Sequence, residues 1–395
     1  MRIGVDATCW SNRRGYGRFA RALLTATLAA DRSNEYVFFT DEPEDEFLMP
    51  SGVEVVRVAA GVPTIQAAAA NGRRSLGDMW AISRAISSRK MDLFFFPSVY
   101  SYVPLTGPTP ELVTIHDVIP ELFPQMVFPT WQSKLFWRAK VSTACMRARR
   151  ILTISEYSRR KIVEVLGVRA ERVRVVNEAG DPVFRRVPNL DLEPLYQRLG
   201  IPPGAPFVSY VGGFSPHKNL VSLVGWFHAA CQQARLPETR LVLVGDYQTD
   251  PFFSCYPEVQ QQVAKHPLQG RVLFPGYMKD DDLLALFHAT QALVLPSFCE
   301  GFGLPAVEAA ACGAPVLVTT ESPLPGLLGD GAIAVEPEDG PGWVAALAGV
   351  LGDQGFRARM SAAGLAATAR LSWENSARQL LEIFDEVPRP RATTA

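Results

Sequence analysis

PSFCEGFGLPAVEAAACGAPV, residues 296–316, is the stretch from which the fold is read. An apolar run over 292–296 leads into it, and a second apolar run over 315–319 leaves it. Between them lie a glycine turn and a short helical stretch that carries Glu308, so the order is strand, turn, helix, strand. Gly301 and Gly303 let the backbone approach a ligand closely. The N–H groups of 302–304 stand at a helix start, which favours an anionic group such as a diphosphate. Pro305 fits the first helical turn. One reading makes Glu300 and Glu308 ligand groups; the other makes Glu300 a helix cap and turns Glu308 to solvent. The small apolar residues around Glu308 make a buried carboxylate there expensive without a partner.

The same alternation extends in both directions. Strands are expected near 2–7, 36–41, 53–59, 92–97, 111–116, 150–155 and 173–178, then near 206–212, 240–245, 271–274, 292–296, 315–319 and 332–335. Helical periodicity fills the gaps, as at Phe19, Leu23, Leu24 and Leu28, and over 219–234, 281–290 and 303–311. Strands alternating with helices predict an α/β protein with parallel, doubly wound sheets covered on both faces. Residues 181–206 hold six prolines and no sustained period, as expected of a connection between two domains. The segment from Trp373 to about Phe384 follows the final strand, and its packing partner is open.

Composition narrows the class. Of 395 residues, 48% are hydrophobic and 20% charged, the balance of a folded protein with room for two cores. Lys plus Arg number 39 against 40 Asp plus Glu; a nucleic-acid partner, which asks for a basic excess, is not expected. The six cysteines form no CxxC pair, so neither a zinc ribbon nor a disulfide framework is expected. MRIGVDATCW reads as a strand and not as a signal peptide, and no apolar run reaches the roughly 18 residues of a spanning helix. The expected location is the cytoplasm.

In open parallel sheets, ligands bind beyond the carboxyl ends of the strands. YVGGFSPHKNL (210–220) again gives strand, glycine turn and helix. Lys218 there either meets a phosphate as a point charge or is a solvated surface lysine, and Asn219 is expected to cap the next helix. LVTIHDVIP (112–120) puts His116 at the end of a strand, as a functional or a structural histidine. RRGYGRFA (13–20) matches G-x-G-x-x-A, yet Gly15 comes about eight residues after the first strand ends. A longer glycine loop through Gly15 and Gly17, with Arg14 and Arg18 closing over phosphate or substrate, is the better expectation. Asp280 to Asp282 resemble a metal motif but precede a helix, so first-turn residues are expected there and no metal site. Residues 131–150, WQSKLFWRAKVSTACMRARR, carry six positive charges and no acid. Trp131, Leu135, Phe136 and Val141 are read as one apolar stripe, on a helix that either lies on an anionic membrane surface or is simply solvated.

These segments together carry a resemblance. EGFGLPAVE, with Glu300 and Glu308 eight apart, is similar to the E-x7-E motif of the retaining glycosyltransferase family 4 of the GT-B class. VGGFSPHKNL resembles that family's VGxxxPRKN segment, TIHDVIPELFP its HD segment, and ISEYSRRKI the junction that follows. RRGYGRF resembles its N-terminal glycine loop and LSWENSA its closing helix, so the likeness runs from residue 2 to about 384. It implies two facing Rossmann-like domains with a cleft between them. The acceptor domain would be 1–185, with 372–395 packing back on it, then a linker over 186–205 and a nucleotide-sugar donor domain over 206–371.

Carried over residue by residue, the resemblance has Glu308 hold the ribose hydroxyls and Lys218 the diphosphate. Glu300 and the amides of Phe302, Gly303 and Leu304 would hold the sugar. His116 would stand beside the transferred sugar, with Gly213, Gly15 and Gly17 close to the donor. The chain departs from the family at His217, where many members carry Arg, and it lacks the Arg that several have near Gly213. The expected activity is transfer of a hexosyl group, with GDP-mannose as lead donor and UDP- or dTDP-sugars as alternatives. The acceptor would be a carbohydrate, lipid-linked or small-molecule hydroxyl. A lysine and a helix start can stabilise a departing diphosphate without metal or other cofactor, so metal-independent front-face transfer with retention is expected. A nucleotide-sugar 2-epimerase of the same fold and an NAD-dependent dehydrogenase are the alternative readings.

Overall fold

The computed structural model of the protein describes residues 1–12, 15–41, 49–58, 76–247 and 253–387. Arg14 of the expected glycine loop, and 388–395 of the expected closing segment, lie outside the described residues. The chain forms two compact units. The first comprises 1–124, 128–178 and 372–395, and the second 125–127 and 179–371.

The first unit is built on seven parallel strands. They are β1 (Arg2–Asp6), β2 (Glu35–Thr40), β3 (Glu54–Arg57), β4 (Leu93–Phe96), β5 (Glu111–Thr114), β6 (Arg150–Thr153) and β7 (Val173–Val175), in the order β3-β2-β1-β4-β5-β6-β7. All four residues of β4 are buried, because a parallel strand needs cover on both faces. Period two sorts them. Phe94 and Phe96 join the core with Ile82, Trp137, Val141 and Ala144, whereas Phe95 meets Phe384 of the closing helix, Trp373–Asp385, at 6.0 Å. That helix starts on a Ser372 side-chain cap and buries Trp373, Ala377, Leu380, Ile383 and Phe384. Ser376 Oγ donates to the Asn177 carbonyl at 2.6 Å, and the Asn177 amide donates to Gln379 Oε1 at 3.1 Å. Residues about 200 apart in sequence are thereby stitched within one unit.

Helix Gly15–Ala30 begins on the first glycine of G-x-G-x-x-A, so Gly15, Gly17 and Arg18 belong to a helix and not to the expected loop. Gly17 is required by packing: a Cβ there would lie 2.0 Å from the Asn12 carbonyl oxygen. The dinucleotide fingerprint instead needs its first glycine in the tight turn directly after the strand. Helix Trp131–Arg147 corrects the expected stripe. Val141 is buried on the core face with Trp137 and Ala144, while Trp131, Leu135 and Phe136 face outward. The 3.6-residue period puts Val141 on the far side of the helix from Leu135.

The second unit holds six parallel strands: β8 (Phe207–Val211), β9 (Arg240–Val244), β10 (Val272–Gly276), β11 (Leu293–Leu295), β12 (Val316–Thr319) and β13 (Ala332–Val335). Their order is β10-β9-β8-β11-β12-β13. Residues 186–205, expected as a linker, lie within this unit and carry helix Glu193–Leu199, which buries Leu195, Tyr196 and Leu199. Pro194 sits in the first turn, where a proline starts a helix instead of breaking it. Among the described residues no helix is long and apolar enough to cross a membrane.

Candidate active site

A doubly wound sheet opens a crevice where its strand order reverses. In the second unit that point lies between β8 and β11, adjacent in space and separated by two other strands in sequence. The loop after β8 carries Gly212, Gly213 and Lys218, and the loop after β11 carries Ser297, Glu300, Phe302 and Gly303. The two loops meet. Lys218 Nζ donates to Glu300 Oε1 at 2.8 Å, with the side chains only 19% and 9% exposed. Ser297 Oγ donates to the same oxygen at 2.5 Å. The Phe298 amide donates to the His217 carbonyl at 2.8 Å and zips the loops together.

Local geometry explains the sequence here. The Tyr210 hydroxyl donates to the Gly213 carbonyl at 2.6 Å, which folds the glycine turn back over its own strand. Lys218 ends the 3-10 turn Pro216–Lys218. Asn219, expected as a side-chain cap, adopts φ +57° and makes no cap bond. Its Nδ2 donates instead to the carbonyls of Pro296 at 3.3 Å and Pro337 at 3.1 Å, so it pins the Glu300 loop from behind. Gly303 takes φ +89°, and a Cβ there would lie 2.6 Å from Leu324 Cδ1, so only glycine lets helix Leu304–Ala311 start at this spot.

Gly303 caps that helix without any side-chain cap bond, so Glu300 is not its cap. The amides of Phe302, Gly303 and Leu304 precede the first intrahelical acceptor, and Phe302 itself is buried. Glu308, in the middle of the helix, is 1% exposed and does not face solvent. The Asp181 amide approaches its Oε1 at 3.5 Å, and a Cβ on Gly180 would lie 3.2 Å from its Cγ. Residues 180–181 thus form one wall around this carboxylate. Burial, helped by the Lys218 ammonium, pulls the His217 imidazole well below its ordinary range. His217 is therefore neutral and adds no charge beside Lys218. Asp280 to Asp282 occupy the first turn of helix Asp280–Ala289, and Asp282 pairs with Arg198.

In the first unit, His116 follows β5 at the sheet's carboxyl edge. It is buried, the edge of Phe19 meets it at 4.9 Å, and neither ring nitrogen has a hydrogen-bond partner among the described residues. Burial lowers its pKa to about 3, so it is a neutral imidazole near pH 7. Gly15 is exposed, and Gly17 is buried against Asn12. Sequence reasoning missed Ser297 and the loop-pinning role of Asn219. Ser297 lies inside the quoted stretch and could have been found as a hydroxyl three residues before a carboxylate. Asn219 gave no local signal of its second role.

Two doubly wound parallel-sheet domains, the second with a charged crevice at its switch point, define a GT-B glycosyltransferase fold. Residues 14–182 match the family described as Glycosyltransferase Family 4, and residues 193–366 match Glycosyl transferases group 1. The chain belongs to this glycosyltransferase family. O-antigen chain mannosyltransferase B of Escherichia coli is 29% identical over 239 residues. That match covers 60% of this chain and 60% of the relative's own length. Sucrose-phosphate synthase from Thermosynechococcus elongatus superposes with a TM-score of 0.76 at 19% identity, over 98% of each chain. HepE from Anabaena, solved with UDP and glucose, gives 0.73 at 20% identity, over 98% of this chain and 100% of that one.

Proposed function

We propose that this chain is a retaining glycosyltransferase. It moves a hexosyl group from a nucleotide-diphosphate sugar to a carbohydrate, lipid-linked or small-molecule hydroxyl. The Lys218–Glu300 pair at the switch point of the second sheet carries the reading. Lys218 meets the diphosphate as it departs, and the helix start at 302–304 adds preorganised N–H groups. Glu300, held by Ser297, takes the donor sugar's hydroxyls, and Glu308 takes the ribose hydroxyls. Gly213 lets the turn approach the donor closely. Family membership supports these roles, because Glu300 and Glu308 keep the spacing of its motif.

His116 is a candidate residue within the first unit taken by itself. A buried imidazole with neither nitrogen partnered among the described residues is costly, and such costs are retained where a group has a task. Being neutral, it can accept or donate a hydrogen bond to a sugar hydroxyl without adding charge. Transfer proceeds on one face: the acceptor oxygen forms its bond to the anomeric carbon from the side the diphosphate leaves, and the acceptor proton goes to the departing phosphate oxygen. No metal is needed, since Lys218 and the helix start meet the developing charge. A mannosyl donor, GDP-mannose, leads because the Escherichia coli relative is named a mannosyltransferase; HepE, crystallised with UDP and glucose, keeps UDP-sugars as the alternative. The place of action is the cytoplasm, where such donors are made.

The test begins with thermal stabilisation by GDP, UDP, ADP, dTDP and NAD and by the sugar-linked form of each diphosphate hit, since a ligand bound only by the folded state raises its melting point. The stabilising donor is then turned over with EDTA present, and the product anomer is read by NMR. The expected result is an unchanged rate with the donor's anomeric configuration kept. Inversion would overturn retention, a tenfold loss in EDTA would overturn metal independence, and stabilisation by NAD alone would overturn the transferase reading.

A further inference from the structure

Among the described residues, four of the seven large hydrophobic side chains left exposed lie on helix Trp131–Arg147. Its inner face is complete: Trp137, Val141 and Ala144 are buried against the sheet. Facing away from them, Trp131 is 69% exposed, Leu135 58%, Phe136 44% and Met146 74%. At 100° per residue, Trp131, Leu135, Ala139, Ser142 and Met146 fall within about a quarter-turn, with Phe136 about 60° beyond it. A soluble surface scatters such residues singly; here they are gathered on one face of one helix.

The rim of that face is basic. Lys134 and Arg138 border it beside Trp131 and Leu135, and neither makes an ion pair among the described residues. On the other border, Lys140 lies over the Phe136 ring at 5.4 Å while its Nζ donates to the Tyr100 carbonyl at 2.8 Å. Arg147 there is tied to the buried Glu111. No acid occurs between 131 and 150. Trp80, 59% exposed, adds a second outward aromatic on helix Leu76–Ser87, which packs against the same core. The helix is fastened firmly enough to present this face. Thr130 caps it by accepting from the Ser133 amide, and Trp137 Nε1 donates to Glu121 Oε1 at 2.7 Å.

We infer that this face docks on an anionic phospholipid bilayer. Trp131, Leu135 and Met146 would enter the headgroup boundary, and Lys134 and Arg138 would reach the lipid phosphates from its rim. A protein partner would have to offer a long acidic and apolar strip, whereas a bilayer supplies both chemistries at every point. The helix lies between β5 and β6, so its Trp131 end stands at the sheet's carboxyl edge, the edge that carries His116. This docking goes beyond the donor chemistry proposed above and holds for any donor. If the acceptor is lipid-linked, it brings the acceptor edge to the membrane.

The test uses the full chain and sedimentation with vesicles of phosphatidylcholine alone or with about a quarter phosphatidylglycerol. Roughly tenfold or stronger binding to the anionic vesicles is expected, weakening as salt shortens the Debye length. Lys134→Glu with Arg138→Glu should lower it at least about tenfold, since each charge near such a surface is worth about fivefold. Trp131→Ser with Leu135→Ser should weaken it comparably and leave melting temperature and donor stabilisation unchanged, because both side chains are outside the core. No binding to anionic vesicles, or binding that neither pair alters, overturns the inference. So does a concentration-dependent dimer, broken by Trp131→Ser with Leu135→Ser, in a protein that ignores vesicles.

Discussion

Lys218 and Glu300 lie in loops 82 residues apart and share one hydrogen bond of 2.8 Å with little water around it. Replacing Lys218 by Met keeps most of the unbranched side chain and removes its charge. The Glu300 carboxylate is then stranded, a situation that costs about 3–5 kcal/mol when an ion pair is buried. Ser297 still donates to Oε1, which puts the loss near the lower end, about 3 kcal/mol. In a unit of this size that lowers its melting temperature by roughly 6–12 °C. Adding Glu300→Gln removes the stranded charge while the Ser297 hydroxyl keeps an acceptor, so the double variant should regain most of the stability. It should not regain activity, because preorganised groups at a leaving diphosphate are worth about 2–4 kcal/mol each in the transition state. Calorimetry at pH 7.5 and initial rates on the three proteins separate the two outcomes. Wild-type turnover by the double variant would refute the assigned roles, and an unchanged melting temperature for Lys218→Met would refute the buried pair itself.

Glu121 tests the first unit through pH. Burial raises its carboxyl to about 7, against the Trp137 indole bond that pulls it down, so the folded state holds a proton the unfolded chain releases. Ionising it costs stability from pH 4.5 upward and in full above 7, about 3 kcal/mol; Glu121→Gln should therefore melt higher than wild type at pH 8.5 and equally at pH 4, and equality at both would contradict the burial. His116 works in the opposite sense: its pKa falls to about 3, so its contribution is lost as pH drops below 6.5. His116→Asn should lose about 1 kcal/mol less than wild type for each pH unit between 6 and 4, and parallel acid melting curves would count against a buried neutral imidazole. Gly303→Ala should cost about 1–3 kcal/mol for its φ of +89° and the approach to Leu324; measured against Leu324→Ala alone, the same change should lose only the steric part of that cost, and no remaining cost would mean the backbone is unstrained.

Much of this was legible in order along the chain. Each of the thirteen expected strands coincides with an observed one, because period two, period 3.6 and glycine turns are local signals. The E-x7-E stretch marked the Glu300 loop, and its small apolar neighbours already argued that Glu308 is buried. Proline content misled over 186–205: Pro194 opens a helix there, and counting prolines cannot tell a helix start from a connection. G-x-G at 15–17 misled too, since its second glycine answers a carbonyl five residues earlier and not a ligand turn. Val141 lies on the buried face and not in the expected stripe, because an apolar residue on a helix carries no mark of which way is in.

What the sequence determined by itself is the parallel α/β alternation and the chemical types available at each strand's end. What tertiary structure alone decided is which ends meet. Strand order sets β8 beside β11 although two strands separate them along the chain, and that adjacency joins Lys218 to Glu300. The same folding brings residues 180–181 against Glu308 and the closing helix onto the first sheet. Turns and periods are governed by neighbours a few residues away, whereas strand order is governed by which apolar faces can be buried together, a property of the whole unit.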